Sequence, residues 1–339
     1  MKASVRVQTC GKLYLAGEYA VLTAGQPAII KAIPIYMTGE IQTASDYRLT
    51  SDMFEHSSNL EPDPDYALIQ ETVGVMNTYL LALGYQLQPF SLKICGKMEK
   101  DGKKFGIGSS GSVVILILKA MAALYELDLE SELLFKLASY VLLKRGDNGS
   151  MGDLACIVYG DLIYYRSFDR ELVRKRMDKV DLQQLLAEDW GFAIRRIKPG
   201  LAMDFLVGWT KQPAISKDLV NQVKSAISES FLTGSRTQVD ALERALLAGE
   251  KFAIQSSLEK ASQLLERLSP AIYTDRLKVL KEAAEGLNCV AKSSGAGGGD
   301  CGIALSFDAV SSKQLIQAWQ AAGIELLYRE RMGHDEPES

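Results

Sequence analysis

Histidine is nearly absent from these 339 residues; only His56 and His334 occur. An imidazole-built zinc site is therefore not expected, and neither is hydrolysis by a Ser-His-Asp triad. The five cysteines (Cys10, Cys95, Cys156, Cys289 and Cys301) are odd in number, scattered, and never form Cys-x-x-Cys. They fit reduced, mostly buried thiols in a cytoplasmic protein, not a disulfide framework. No apolar run approaches the length that spans a bilayer, the short Val113–Leu118 included. The opening MKASVRVQTCGK lacks the apolar core of a secretory signal. Basic charge is also short. A net charge of -4 argues against nucleic-acid or membrane-surface binding, but says nothing against a local basic pocket. The tail GHDEPES around His334 is polar and expected to fray. A P-loop of the G-x-x-x-x-G-K-[ST] kind is missing, as are the H-R-D and D-F-G signatures of protein kinases.

What the chain does have is periodic apolar sequence on an α+β pattern. Extended segments are expected at 3–9, 27–42, 46–51, 90–98, 161–167, 191–197 and 203–209. Helices are expected at 65–84, 109–127 and 130–145, and almost throughout 216–286. Strands return at 288–292, 301–307 and 323–329, with a helix at 310–322. This divides the chain into an N-terminal domain, 1–200, and a helix-rich C-terminal domain, 201–339.

Glycine is concentrated in two places. In GIGSSGS, Gly106, Gly108 and Gly111 match G-x-G-x-x-G, but the charged GKMEKDGKK stands where a dinucleotide fingerprint needs a strand. The loop instead opens a long apolar helix. Its first-turn N–H groups suit an anion, and Ser109, Ser110 and Ser112 add hydroxyls for phosphate or magnesium. The plainer alternative is a serine that only caps the helix. In KSSGAGGGDCGIAL, four glycines fall within five residues between two expected strands. That is more than a turn needs, so something approaches the backbone closely, unless the loop is only a flexible hairpin tip. Lys12 follows a glycine near a strand end, either as a site cation or as a solvated lysine. In KRGDNGSMGD, Asp153 is either a carboxylate that orients a reacting group or a cap in a polar turn.

Together these stretches resemble the GHMP kinase superfamily of small-molecule kinases. Its three motifs appear in order as GKLYLAGEYAVLTAGQPAI, GIGSSGSVV and KSSGAGGGDCGIAL. Within it the sequence is most similar to the phosphomevalonate kinases of Gram-positive cocci. The similarity lies in Tyr19, Lys104, the stretch VGWTKQPAISKDLV and Asp300; Lys211 departs from it, standing where many relatives carry glycine. The resemblance implies a two-domain GHMP kinase fold. Its N-terminal domain is like the second domain of ribosomal protein S5, with a left-handed β-α-β crossover, and its C-terminal domain is ferredoxin-like and helix-rich.

The same resemblance implies transfer of the γ-phosphate of ATP to the phosphate of (R)-5-phosphomevalonate, in the mevalonate pathway. ATP and Mg²⁺ are the implied cofactors. Lys12, Lys104 and Asp153 are the implied catalytic residues. Gly106, Gly108, Ser109, Ser110, Gly111 and Ser112 would hold the nucleotide phosphates, with Ser110 also on the metal. Tyr19, Ser150, Ser216, Ser294, Gly295, Gly297 and Gly298 would hold the acceptor. Lys103, Lys104 and Lys211 favour a phosphorylated acceptor over mevalonate itself. Mevalonate kinase and a non-catalytic nucleotide-binding module on the same fold are the alternatives. Partners are limited to small molecules, and the chain is either a monomer or a homodimer.

Overall fold

The computed structural model describes residues 4–214 and 217–333. Ser216, expected in the acceptor site, and the tail around His334 lie outside the described residues.

The first unit is built on one six-stranded sheet. β1 (Val5–Ala16) and β2 (Pro27–Thr43) pair antiparallel across a corner that holds a single helical turn, Ala20–Leu22. Gly17 makes this corner at φ +96°, where an added Cβ would meet the backbone of Pro27 and Ala28. β3 (Arg48–Ser51), α1 (Ala67–Ala82) and β4 (Phe90–Cys95) form a β-α-β unit with β3 parallel to β4. Then come the two-residue strands β5 (Glu99–Lys100) and β6 (Lys103–Lys104), a small hairpin where the sequence suggested only a loop. α2 (Ser109–Leu124), α3 (Ser131–Lys144), α4 (Gly152–Tyr159), β7 (Leu162–Arg166), α5 (Arg170–Met177), α6 (Leu182–Ala187) and β8 (Ala193–Arg196) complete it. The strand order is β3-β4-β2-β7-β8, with β1 on the other edge of β2. α2 lies on β1 and β2 beneath α1, α3 and α4. It is walled in on every side, so its apolar residues run all the way round and Val113–Leu118 are all buried.

The second unit runs β9 (Met203–Trp209), α7 (Lys217–Ser225), α8 (Glu229–Ala248), α9 (Lys251–Leu268), α10 (Asp275–Glu282), β10 (Cys289–Ser293), β11 (Cys301–Ser306), α11 (Ala309–Ala321) and β12 (Glu325–Met332). Its antiparallel sheet has the order β10-β11-β9-β12, the interleaved ferredoxin-like arrangement.

Charged side chains tie the two units together. Lys31 on β2, almost fully buried, meets Glu330 on β12 at 3.0 Å and Asp161 at 3.4 Å. Arg195 on β8 forms a two-pronged pair with Glu243 on α8, at 2.5 and 2.6 Å.

Two local differences from expectation matter for the site. β1 continues through Gly11 to Ala16, so Lys12 sits inside the strand, just past a register shift at Cys10/Gly11. Asp153 lies in the first turn of α4, a helix the sequence did not reveal, and the residue at the cap position is Met151.

Candidate active site

α2 begins at Ser109, and its cap residue is Gly108 at φ +88°, in the left-handed region. No side chain hydrogen-bonds the first turn, so neither Ser109 nor Ser110 is the cap. The turn therefore presents free N–H groups at the positive end of a sixteen-residue helix.

Each glycine of the loop makes room for one charged side chain. A Cβ on Gly106 would overlap the carboxylate of Asp300. On Gly108 it would stand 3.0 Å from Lys12 Cε. On Gly111 it would stand 2.8 Å from Asp153 Oδ2. One cation and two carboxylates thus crowd the start of α2, coming from β1, α4 and the turn before β11. The Lys12 backbone N–H donates to Ile107 O at 2.9 Å, which holds β1 against the loop.

Burial raises the pKa of Asp153, and the Lys12 ammonium partly offsets this. Asp300 is raised by burial as well, against a backbone hydrogen bond from Ala214 and the charges of Lys12 and Lys104. Asp300 has φ +52°, a conformation glycine adopts freely, and Lys211 has φ +60°. Lys211 is the position at which the family resemblance noted glycine in many relatives.

Ser112 does not reach the loop's open face. It is fully buried, and its Oγ donates to Cys10 O at 2.7 Å. Its N–H bonds Gly108 O, so the residue anchors the helix and offers an anion nothing. Ser110 is exposed at the mouth, and so is Lys104 on β6, whose charge reaches Asp300. Lys211 was expected to supply charge to a second phosphate. Its ammonium instead pairs with Glu325 at 2.9 Å, and Glu325 also holds Lys100 at 2.6 Å.

Beside Lys12 opens a cleft of about 240 Å³ lined by Tyr14, Tyr19, Ser150, Gly295 and Ala296, and by Val21, Leu22, Val220 and Lys224. Ser150 Oγ lies 3.1 Å from Tyr14 Oη and accepts from Gly152 N–H at 3.1 Å. Burial, then the charge of Asp153, pushes the Tyr14 phenol far up, so it stays protonated. The expected glycine wall is mostly committed to the protein itself. A Cβ on Gly297 would strike Ile272, Gly298 N–H bonds Ile272 O, and a Cβ on Gly299 would strike Pro213 O. Among these glycines, Gly295 alone lines the cleft.

Two further candidates act on the loop. Ser294 Oγ accepts from Tyr14 N–H and donates to Tyr14 O, both at 2.9 Å. Tyr19 Oη donates to Ala296 O at 2.6 Å; burial, then Glu18, raises its pKa to about 12. Sequence reasoning missed the element beneath them. Lys292 on β10 is completely buried and pairs with Glu18, buried as well, while donating to Ser293 O at 2.6 Å. Nothing in the sequence marked these two as partners.

Residues 68–161 match the model of the GHMP kinases N terminal domain, and 242–325 that of the GHMP kinases C terminal domain. The chain is 32% identical to a phosphomevalonate kinase of Streptomyces sp. (strain CL190), covering 93% of each chain. It is 57% identical to Streptococcus pneumoniae phosphomevalonate kinase, solved in complex with phosphomevalonate and AMPPNP. There the TM-score is 0.95, over 97% of this chain and 100% of the other. Methanococcus jannaschii mevalonate kinase, 20% identical with a TM-score of 0.74 over 98% and 99% of the two chains, shares the fold.

Proposed function

The chain belongs to the GHMP kinase family, and from that premise we infer that it is a phosphomevalonate kinase. It transfers the γ-phosphate of ATP to the phosphate of (R)-5-phosphomevalonate, releasing ADP and (R)-5-diphosphomevalonate. The observation that carries the chemistry is the meeting of Lys12 with the uncapped first turn of α2 at the head of the cleft. The acceptor's identity rests on full-length likeness to phosphomevalonate kinases.

In this reading the N–H groups of the first turn receive the nucleotide phosphates. Lys12 faces the acceptor phosphate, and Lys104 at the mouth bridges the transferring and accepting groups. Ser110 Oγ, with the carboxylates of Asp153 and Asp300 close by, offers the hard oxygen donors that Mg²⁺ takes, and Ser110 would hold it. The ion, when bound, supplies neutralising charge to the phosphates. An acceptor phosphate with a second pKa of about 6 is mostly ionised at neutral pH and needs no general base. Asp153 then orients Lys12 instead of taking a proton. Phosphoryl transfer is served by this kind of positioning and charge neutralisation.

We place the boundary between the two domains near residue 200, between β8 and β9. Five unpaired thiols support a cytoplasmic location.

Following ADP release with Mg-ATP and mevalonate, 5-phosphomevalonate, 5-diphosphomevalonate, homoserine or galactose tests the assignment. Turnover with 5-phosphomevalonate alone is expected. Turnover with mevalonate in its place would overturn the acceptor assignment.

A further inference from the structure

The acceptor cleft is lined by two cations, Lys12 and Lys224, and by the apolar Val21, Leu22 and Val220. Lys12 belongs to the side that faces the phosphate loop. Lys224, on α7, stands where the cleft meets a second cleft of about 690 Å³. Leu22 and Lys224 line both. The same cleft carries the hydroxyls of Tyr14 and Ser150. Glu18, the one carboxylate among the described residues of the cleft, is already neutralised by buried Lys292.

Among the described residues, no ion pair or hydrogen bond holds the half-buried Lys224 side chain. The second cleft adds positive charge behind it. Arg170 is fixed there by its bond to Leu22 O, and Arg174 by bonds to Asp147 O and Asn148 Oδ1. Two carboxylates share that wall, Asp169, which caps α5 through Leu172 N–H at 3.0 Å, and Glu171. Among the described residues of that wall, Lys224, Arg170 and Arg174 still outnumber Asp169 and Glu171, and Lys224 is the cation left without a partner, so this end suits a small anion.

An acceptor of the phosphomevalonate kind matches this layout. It carries phosphate at one end, carboxylate at the other, and a methyl and a hydroxyl in between. We propose that Lys224 receives the carboxylate of the acceptor, in the field of Arg170 and Arg174, and so selects a substrate that is anionic at both ends. This rests on the phosphomevalonate kinase assignment. It makes Lys224 a specificity residue that takes no part in the transfer step.

The test uses the full-length enzyme with 5-phosphomevalonate and with its carboxamide analogue, phosphate intact. Wild-type enzyme is expected to prefer the acid by about tenfold or more in kcat/KM. In Lys224→Met the KM for the acid should rise about tenfold and the preference should vanish, with the KM for ATP unchanged. Lys224→Arg should restore part of the preference, which loss of folding would not allow. A wild-type enzyme indifferent to the carboxamide, or a Lys224→Met enzyme that keeps its preference, overturns the proposal and leaves the kinase assignment standing. Failure of wild-type enzyme to use 5-phosphomevalonate at all overturns the assignment, and the proposal with it.

Discussion

Gly111 shows what one hydrogen atom in place of a methyl group does here. Alanine is the better helix former by about 1 kcal/mol, so Gly111→Ala alone would be expected to stabilise α2. Its Cβ, however, would press on the Asp153 carboxylate. The variant should keep its melting temperature within a few degrees and lose about tenfold to a hundredfold in kcat/KM. Thermal melts and steady-state kinetics on one preparation separate the two effects. At the neighbouring positions, Lys12→Ala should cost about a hundredfold or more in kcat, and Asp153→Asn distinctly less. The reverse ranking, with phosphomevalonate affinity kept, would make Asp153 a base. The pH dependence of stability carries a definite sign. Asp153 has a raised carboxyl pKa in the fold, so between the ordinary value and the raised one the native state holds more protons than the unfolded chain. That contribution to stability is fully present below the ordinary pKa, is lost as pH rises through the raised one, and stays lost above it. Asparagine at 153 removes the loss. Denaturant titrations from about pH 4 to pH 8 should show Asp153→Asn gaining on the wild type as pH rises, then levelling off.

At the scale of elements, the third-motif loop is held to the first by hydroxyls. Tyr19→Phe breaks the bond to Ala296 O and should cost about 1 kcal/mol of stability while raising the KM for the acceptor. Chemical denaturation and acceptor titration check both halves. Elements also differ in how far the sequence announces them. α2 was legible because the almost wholly apolar Val113–Leu124 follows a glycine-serine start. α5 and α6 are eight and six residues long, too short to show a period, although Asp169 and Asp181 cap them as such residues commonly do. α4 was hidden because its first turn, Gly152–Asp153, reads as a polar turn. The glycine excess near 297 was read as space for a ligand. Ile272 and Pro213, distant in sequence, fill that space instead, and no local pattern could reveal them. Lys12 and Asp153 were visible through their motifs. The Glu18–Lys292 pair was not, since a lone lysine in a strand announces no partner.

For the whole molecule, the two units share buried charge. Lys292 is fully buried and Glu18 nearly so, and they join β10 to the corner after β1. Removing one member leaves the other desolvated and alone, a cost of about 3–5 kcal/mol. Lys292→Met should therefore be strongly destabilised, and the Glu18→Gln/Lys292→Met double variant should recover part of the loss. A double-mutant cycle by chemical denaturation would show this; additive losses would argue against a true pair. The Lys31–Glu330 contact works across the same divide, so separate expression of the two units would leave Lys31 with Asp161 alone and Glu330 without its lysine.

The three hollows at Gly106, Gly108 and Gly111 bear on whether the loop is portable. Grafted ahead of another helix, GIGSSGS would bring its bend and its free N–H groups, but not Asp300, Lys12 or Asp153, which come from three distant parts of this chain. Such a graft would inherit the cradle without its occupants, and whatever it held would be held by backbone alone. The short string is a socket, and its meaning is supplied by the residues that plug into it.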